Sequence, residues 1–178
     1  NITIYAIWQA KDYTVQYLSN NLNATGEMAN STHTFDELSN LSANTFNLVG
    51  YTFAYWTLNA DGTGEQYTNQ QQVSALTTEG TVTLYANWTP NTYKVTFRSN
   101  NENASGEMAD QNFIYDEEKA LTANAYELIG YHFIGWNTDA TAETGEFADA
   151  QSVENLTAVN AETVYLYAIW KANGYTVQ

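Results

Sequence analysis

The stretch Thr81-Val82-Thr83-Leu84-Tyr85-Ala86-Asn87-Trp88 recurs almost unchanged at both ends of the chain, as Ile2 to Trp8 and as Thr163 to Trp170. In each copy one set of alternate positions is apolar: Ile2, Ile4, Ala6 and Trp8; Val82, Leu84, Ala86 and Trp88; Val164, Leu166, Ala168 and Trp170. A period of two is the mark of a β-strand with one buried face. That face predicts core positions for Trp88 and Trp170. From Trp8 to Trp88 is 80 residues and from Trp88 to Trp170 is 82, so the chain reads as a tandem array with two complete repeats and parts of two more. The expected division is residues 1–11 as the last strand and linker of a preceding repeat, 12–90 and 91–172 as the two repeats, and 173–178 as the first strand of a following one.

Working outward from the recurring strand, each copy runs into a short polar connector, at Gln9 to Asp12, Thr89 to Thr92 and Lys171 to Gly174, with the sole proline, Pro90, in the middle one. A second alternating strand follows, with Tyr13, Val15 and Tyr17 in the first repeat and Tyr93, Val95 and Phe97 in the second. Asn- and Ser-rich loops ending at Gly26 and Gly106 turn the chain back. The return strands are expected to open at Glu27 and Glu107, making a hairpin. Asp36-Glu37-Leu38 and Asp116-Glu117-Glu118 carry the acidic signature of a helix start, which predicts a short helix in each repeat. Tyr51 to Trp56 and Tyr131 to Trp136 are apolar on both faces, as an inner strand would be. The second repeat gains its two extra residues in the acidic loop near Asp139 to Glu146, where length changes cost little.

Composition bounds the function. There are 178 residues with no cysteine, so aromatic burial has to replace disulfides and thiolate metal sites in bracing repeats of about 80 residues. The 5 Trp, 14 Tyr and 7 Phe suit that role. Twenty acidic against five basic side chains give a net charge of −15. Binding to a phosphate backbone, which depends on Lys and Arg releasing counterions, is excluded as a main activity. Anionic lipid surfaces are repelled likewise, and no apolar run of about 18 residues is present to span a bilayer.

Taken together, Gly130-Tyr131-His132-Phe133-Ile134-Gly135-Trp136, Ala60-Asp61-Gly62-Thr63-Gly64, Val153-Glu154-Asn155-Leu156-Thr157 and Leu84-Tyr85-Ala86-Asn87-Trp88 resemble the Listeria-Bacteroides repeat, also called the B repeat of internalin-type surface proteins. The resemblance spans essentially the whole chain. It implies tandem small β-grasp (ubiquitin-like) variant domains, an α+β class that is mainly β. It also implies an extracellular, cell-surface setting and a role in stalks, adhesion or binding. Two positions depart from the pattern: the family's Asn-Gly-Gly is replaced by Asn20-Asn21-Leu22 and Asn100-Asn101-Glu102, and Tyr55 stands where the family has Gly, as Gly135 does in the second repeat. The family motif is a folding motif and brings no catalytic set.

The residues themselves support that reading. His33 and His132 have Phe113 and Thr52 as repeat partners, so neither belongs to a duplicated site, and no nucleophile signature accompanies them. The recurring acids, Glu27 and Glu107, Asp36 and Asp116, Glu65 and Glu146, fall at expected turns or helix starts, where capping accounts for them better than paired-carboxylate hydrolysis. Asn59, Asp61, Thr63 and Gly64 follow half of a calcium-loop pattern, but its twelfth position is Gln70 and the second repeat keeps neither spacing nor residues. Sequons recur at Asn23 and Asn103. No catalytic residue, cofactor or metal is expected.

The surface candidates are Tyr5, Tyr85 and Tyr167, opposite the Trp face of the recurring strand, and Trp8. Packing at a joint between repeats suits these tyrosines better than sugar stacking, because Tyr joins apolar area to a wet hydroxyl. The expected role is a non-enzymatic spacer, stalk or adhesive module of a large surface protein. A self-assembling extracellular fibre or sheath subunit with shared strands is the alternative. Expected partners are neighbouring repeats, with other copies of the chain, or a surface protein or glycan, as further candidates. The flanking segments are expected to be ordered by strand pairing, since an apolar strand with an open edge seeks a partner.

Overall fold

In the computed structural model, which describes residues 2–177, the chain divides into two compact units between Thr89 and Pro90. The first holds seven strands: β1 (Asp12–Leu18), β2 (Ser31–Thr34), β3 (Ser39–Asn40), β4 (Tyr51–Thr57), β5 (Gln66–Tyr67), β6 (Gln72–Val73) and β7 (Gly80–Pro90). Its sheet has the order β2-β1-β7-β4-β5, with β3 and β6 forming a separate two-stranded ribbon. β1 and β7 run parallel, Tyr13 beside Gly80 through Leu18 beside Tyr85, and β2 and β5 are antiparallel to their neighbours.

The second unit repeats this plan with β8 (Thr92–Arg98), β9 (Gln111–Ile114), β10 (Lys119–Ala120), β11 (Tyr131–Asn137), β12 (Ser152–Val153) and β13 (Thr163–Ala172). Its sheet has the order β11-β13-β8-β9, with β13 parallel to β8, and β10 pairs with β12. The counterpart of β5 shrinks to a single bridge between Trp136 and Phe147. Here β11 bulges between Phe133 and Gly135. Gly135 has φ +141°, and a Cβ on it would lie 2.7 Å from the Phe147 carbonyl oxygen. The bulge therefore depends on glycine at this position.

The expected α+β class is corrected: no helix occurs among the described residues, both units are all-β, and the β-grasp fold is not shown. The physical reason lies at the two aspartates read as helix starts. Asp36 and Asp116 have φ of 62° and 61°, a left-handed conformation foreign to an N-cap, and each closes a tight turn. Beyond them the backbone finds distant partners: Leu41 N donates to Gln71 O at 2.9 Å, and Thr25 and Asn47 exchange bonds of 2.8 and 2.9 Å. Asn44 Oδ1 accepts from Phe46 N at 3.0 Å, a local turn that competes with helix. Gly26 and Gly106 allow this packing, since a Cβ would fall 2.4 Å from Thr45 O and 2.2 Å from Ala125 O.

Each unit has its own core. Around Trp56 gather Tyr13, Val15, Tyr17, Leu41, Tyr67, Val73, Leu84 and Ala86; around Trp136 gather Tyr93, Val95, Phe97, Phe113, Leu121, Val153, Leu166 and Ala168. Trp56 lies 4.8 Å from the ring of Phe53 and 5.2 Å from that of Tyr17, both tilted, and Trp136 repeats these contacts with Phe133, edge-on, and Phe97, tilted. The expectation that Trp88 and Trp170 are core residues needs refinement. Both are half-buried against the core, and their indole N–H groups donate outward to Ser19 O at 2.8 Å and Ser99 O at 2.7 Å. The innermost tryptophans are those of β4 and β11.

Two further expectations are corrected. The return strand of each hairpin starts at Ser31 and Gln111, later than Glu27 and Glu107. The flanks do not pair: residues 2–11 carry no strand, Ile2, Ile4, Ile7 and Trp8 are about nine-tenths exposed or more, and Tyr175 and Val177 are exposed too. Within this chain the sites beside β1 and β4 that would receive Ile2 to Trp8 are already filled by β7. Gln178, included in the expected flanking strand, and Asn1, in the expected preceding fragment, lie outside the described residues.

Candidate interface residues

The four residues singled out from sequence occupy different settings. Tyr5 and Trp8 project from the unpaired segment, 81% and 89% exposed. Tyr85 is half-buried on the outer face of β7 beside Leu18 of β1. With Leu18, Ser19, Asn20, Asn21 and Leu22 it lines a depression of about 380 Å³. Tyr167 is half-buried on β13, next to Arg98 of β8 and Asn137 of β11. Tyr5, Trp8 and Tyr85 belong to the first unit and Tyr167 to the second.

Asp61 and Asp139 are held within their own turns. Asp61 Oδ1 accepts from the Thr63 hydroxyl at 2.6 Å and Thr63 N at 2.9 Å, while Asn59 Nδ2 donates to Thr63 O at 3.2 Å. The Thr63 hydroxyl, then its N–H, holds the Asp61 carboxyl below its usual range. Asp139 repeats this with Thr141, its backbone N–H contributing most. In the half calcium loop Asp61 Oδ1 is thus taken up by Thr63. Glu65 accepts from the Tyr67 phenol at 2.9 Å, and burial, reinforced by that contact, pushes the phenol up to about 12. No cluster of three His, Cys, Asp or Glu side chains with metal-binding geometry occurs among the described residues.

Two features escaped the sequence reading. His33 is 3% exposed: Nε2 shares a 2.9 Å hydrogen bond with the Ser31 hydroxyl, Nδ1 one of 2.5 Å with the Ser39 hydroxyl, and its ring stacks 5.5 Å from that of Tyr13. The Tyr17 phenol joins Ser31 at 2.9 Å and accepts from Ser42 N. Burial lowers the His33 pKa. The equivalent positions in the second unit are Phe97, Gln111, Phe113 and Lys119, so the network exists once. Only the substitution of a polar for an apolar set between repeats hinted at it. His132, by contrast, is exposed and its Nδ1 lies 2.8 Å from Asn173 Oδ1.

The second feature is on the outer face of the second sheet. The Arg98 guanidinium carbon sits 5.2 Å from the centre of the Tyr165 ring. Lys94 pairs with Asp110 at 2.7 Å, and Asp110 also accepts from the Thr96 hydroxyl at 2.7 Å. The Lys94 ammonium first, then Thr96, holds the Asp110 carboxyl low. The alternation of β8 had placed Lys94, Thr96 and Arg98 on one side, but the rings that face them belong to a strand some 70 residues away in sequence.

Comparison with known proteins places this architecture. A protein of Evansella cellulosilytica named "Putative Gly-rich membrane protein" is 32% identical over 133 residues, which is 72% of this chain and 15% of that protein. A second from the same organism, named "Putative membrane protein", is 25% identical over 175 residues, 97% of this chain and 24% of that protein. The chain therefore spans a quarter or less of the length of these relatives. The Listeria-Bacteroides repeat domain matches residues 13–87 and again 93–169, one match in each unit, and the chain belongs to that repeat family.

Proposed function

We propose that the chain is a non-enzymatic tandem-repeat segment of a large cell-surface protein, acting as a spacer or adhesive stalk. One observation carries this reading: a single sequence period is folded twice on the same plan, each copy closing its own aromatic core. Duplicated polar residues such as Asp36 and Asp116 are used in turns, which supports a structural role for them. The relatives named as membrane proteins, each several times longer than this chain, support a cell-envelope setting. Stretching the chain between two attachment points tests the spacer. It should give two separate unfolding events, each releasing about 80 residues, or roughly 260–290 Å of contour at 3.3–3.6 Å per residue. A single event releasing both units together would argue against independent beads.

One observation favours the fibre reading. Ile2 to Trp8 repeats the apolar alternation of β7 yet is unpaired and exposed in this chain, which leaves its apolar side chains and backbone groups open to a partner. If it adds to other copies, sedimentation will show concentration-dependent association that disappears when residues 2–8 are deleted.

A further inference from the structure

We infer that the outer sheet face of the second repeat binds a polysaccharide in which carboxylate sugars alternate with neutral ones. This deepens the adhesive side of the reading above and rests on it. The unfolding measurement that decides the spacer is independent of the binding measurement below, so the two can fail separately.

The first observation is a difference between the repeats. On β8 and β13 the outward residues are Lys94, Thr96, Arg98, Tyr165 and Tyr167; their counterparts on β1 and β7 are Thr14, Gln16, Leu18, Thr83 and Tyr85. The strands pair in the same parallel register in both units. The fold thus forms equally well without the two cations and the second tyrosine, so folding does not account for them.

The second observation concerns charge. Four of the five basic residues of this strongly acidic chain lie after Pro90, two of them on β8. Lys94 is engaged by Asp110, whereas Arg98 has no carboxylate at ion-pair distance among the described residues. It lies beside Tyr165, which is 43% exposed. Beyond Lys94 the face opens into a cavity of about 590 Å³ lined by Asn112, Lys119, Glu162 and Thr163 among others.

These groups select a ligand. A guanidinium fork matches a carboxylate in two parallel hydrogen bonds. An exposed tyrosine ring offers flat apolar area to the C–H face of a pyranose while its hydroxyl stays in water. Thr96 and Asn112 supply hydroxyl and amide groups for sugar hydroxyls. From Lys94 to Arg98 the strand covers about 13 Å at roughly 3.3 Å per residue, enough for a short run of sugars. Asp110, Glu117 and Glu162 border the same surface and would repel a polymer charged at every unit. Hence the anionic groups should be spaced by neutral sugars.

Calorimetric or NMR titration of the whole chain with a hyaluronan octasaccharide, which alternates uronate with a neutral N-acetyl sugar, tests this. Saturable binding with Kd on the order of 0.1–1 mM is expected, with neutral dextran and a Glu-rich peptide binding far more weakly. Replacing Lys94→Thr, Arg98→Leu and Tyr165→Thr installs the residues that the first repeat already tolerates. Affinity should fall at least about ten-fold with the circular dichroism spectrum and melting unchanged. Should that triple variant fold poorly, Arg98→Lys keeps the charge, removes the fork, and should still weaken binding several-fold. Absence of saturable binding, equal binding of dextran, preference for the acidic peptide, or unchanged affinity in the folded variants would each overturn the assignment.

Discussion

Replacing Gly135 with alanine should destabilise the second unit selectively. Its φ of +141° lies where an L side chain is strained, at a cost of about 1–3 kcal/mol. The new Cβ would stand 2.7 Å from Phe147 O and 3.0 Å from the Gly145 Cα, both backbone atoms that cannot swing aside. Moving them breaks the exchange in which Trp136 N donates to Phe147 O at 2.8 Å and Phe147 N to Trp136 O at 3.0 Å. Each of those bonds is worth about 1 kcal/mol net. The expected loss is therefore about 3–5 kcal/mol, a large part of the roughly 4–12 kcal/mol that about 80 residues can supply. At about 4–8 °C per kcal/mol, melting of the second unit should fall by well over 10 °C. Hydrogen exchange read by mass spectrometry separates the units, because peptides from β11 and β13 should lose protection while those from β4 and β7 keep theirs. A loss below about 1 kcal/mol, or deprotection spread evenly over both units, would refute the argument. The first unit carries Tyr55 at the equivalent position and has instead a two-residue pairing of β4 with β5, so the constraint belongs to the bulge and not to the repeat in general.

Three further outcomes are expected. Trp136→Ala should cost about 3–5 kcal/mol in denaturant titration, while Trp170→Ala, half-buried with one outward hydrogen bond, should cost clearly less; the reverse order would misplace the core. His33 is held below its ordinary value of 6.5 by burial, so the unfolded chain binds the proton first: first-unit stability is intact above about pH 6.5, declines as pH falls below it, and levels off once the lowered folded value is passed. Urea titrations should show that decline flattened by His33→Phe, with the second unit, which has Phe113 there, unaffected; an identical pH response in both units would refute it. Chelator should leave melting unchanged, because Asp61 Oδ1 and Asp139 Oδ1 each accept two hydrogen bonds within their turns, and a calcium-reversible loss of stability would return a metal to Asn59 to Glu65.

What the sequence determined was the period and the strand faces. The alternation of Tyr13, Val15 and Tyr17, and of Leu84 and Ala86, is local information, because successive strand residues point to opposite sides whatever the neighbours. Repetition of those patterns 80 and 82 residues apart was enough to divide the chain and to suggest its family. Depth and pairing were not local. Trp56 and Trp88 both lie on apolar strand faces, but only the order β2-β1-β7-β4-β5 puts one at the core centre and the other toward the loop at Ser19. Asp36-Glu37 reads as a helix start because Asp favours both N-caps and left-handed turns; the choice fell to partners such as Ser74 O and Gln71 O, far along the chain. The flanks show the same limit. Ile2 to Trp8 has the sequence of a central strand, yet backbone hydrogen bonds need a neighbour with free groups, and in this chain β7 and β13 already hold both places. The contact of Arg98 with Tyr165 likewise exists only because β8 and β13 lie parallel in one register, which makes diagonal neighbours of two residues that no local pattern connects.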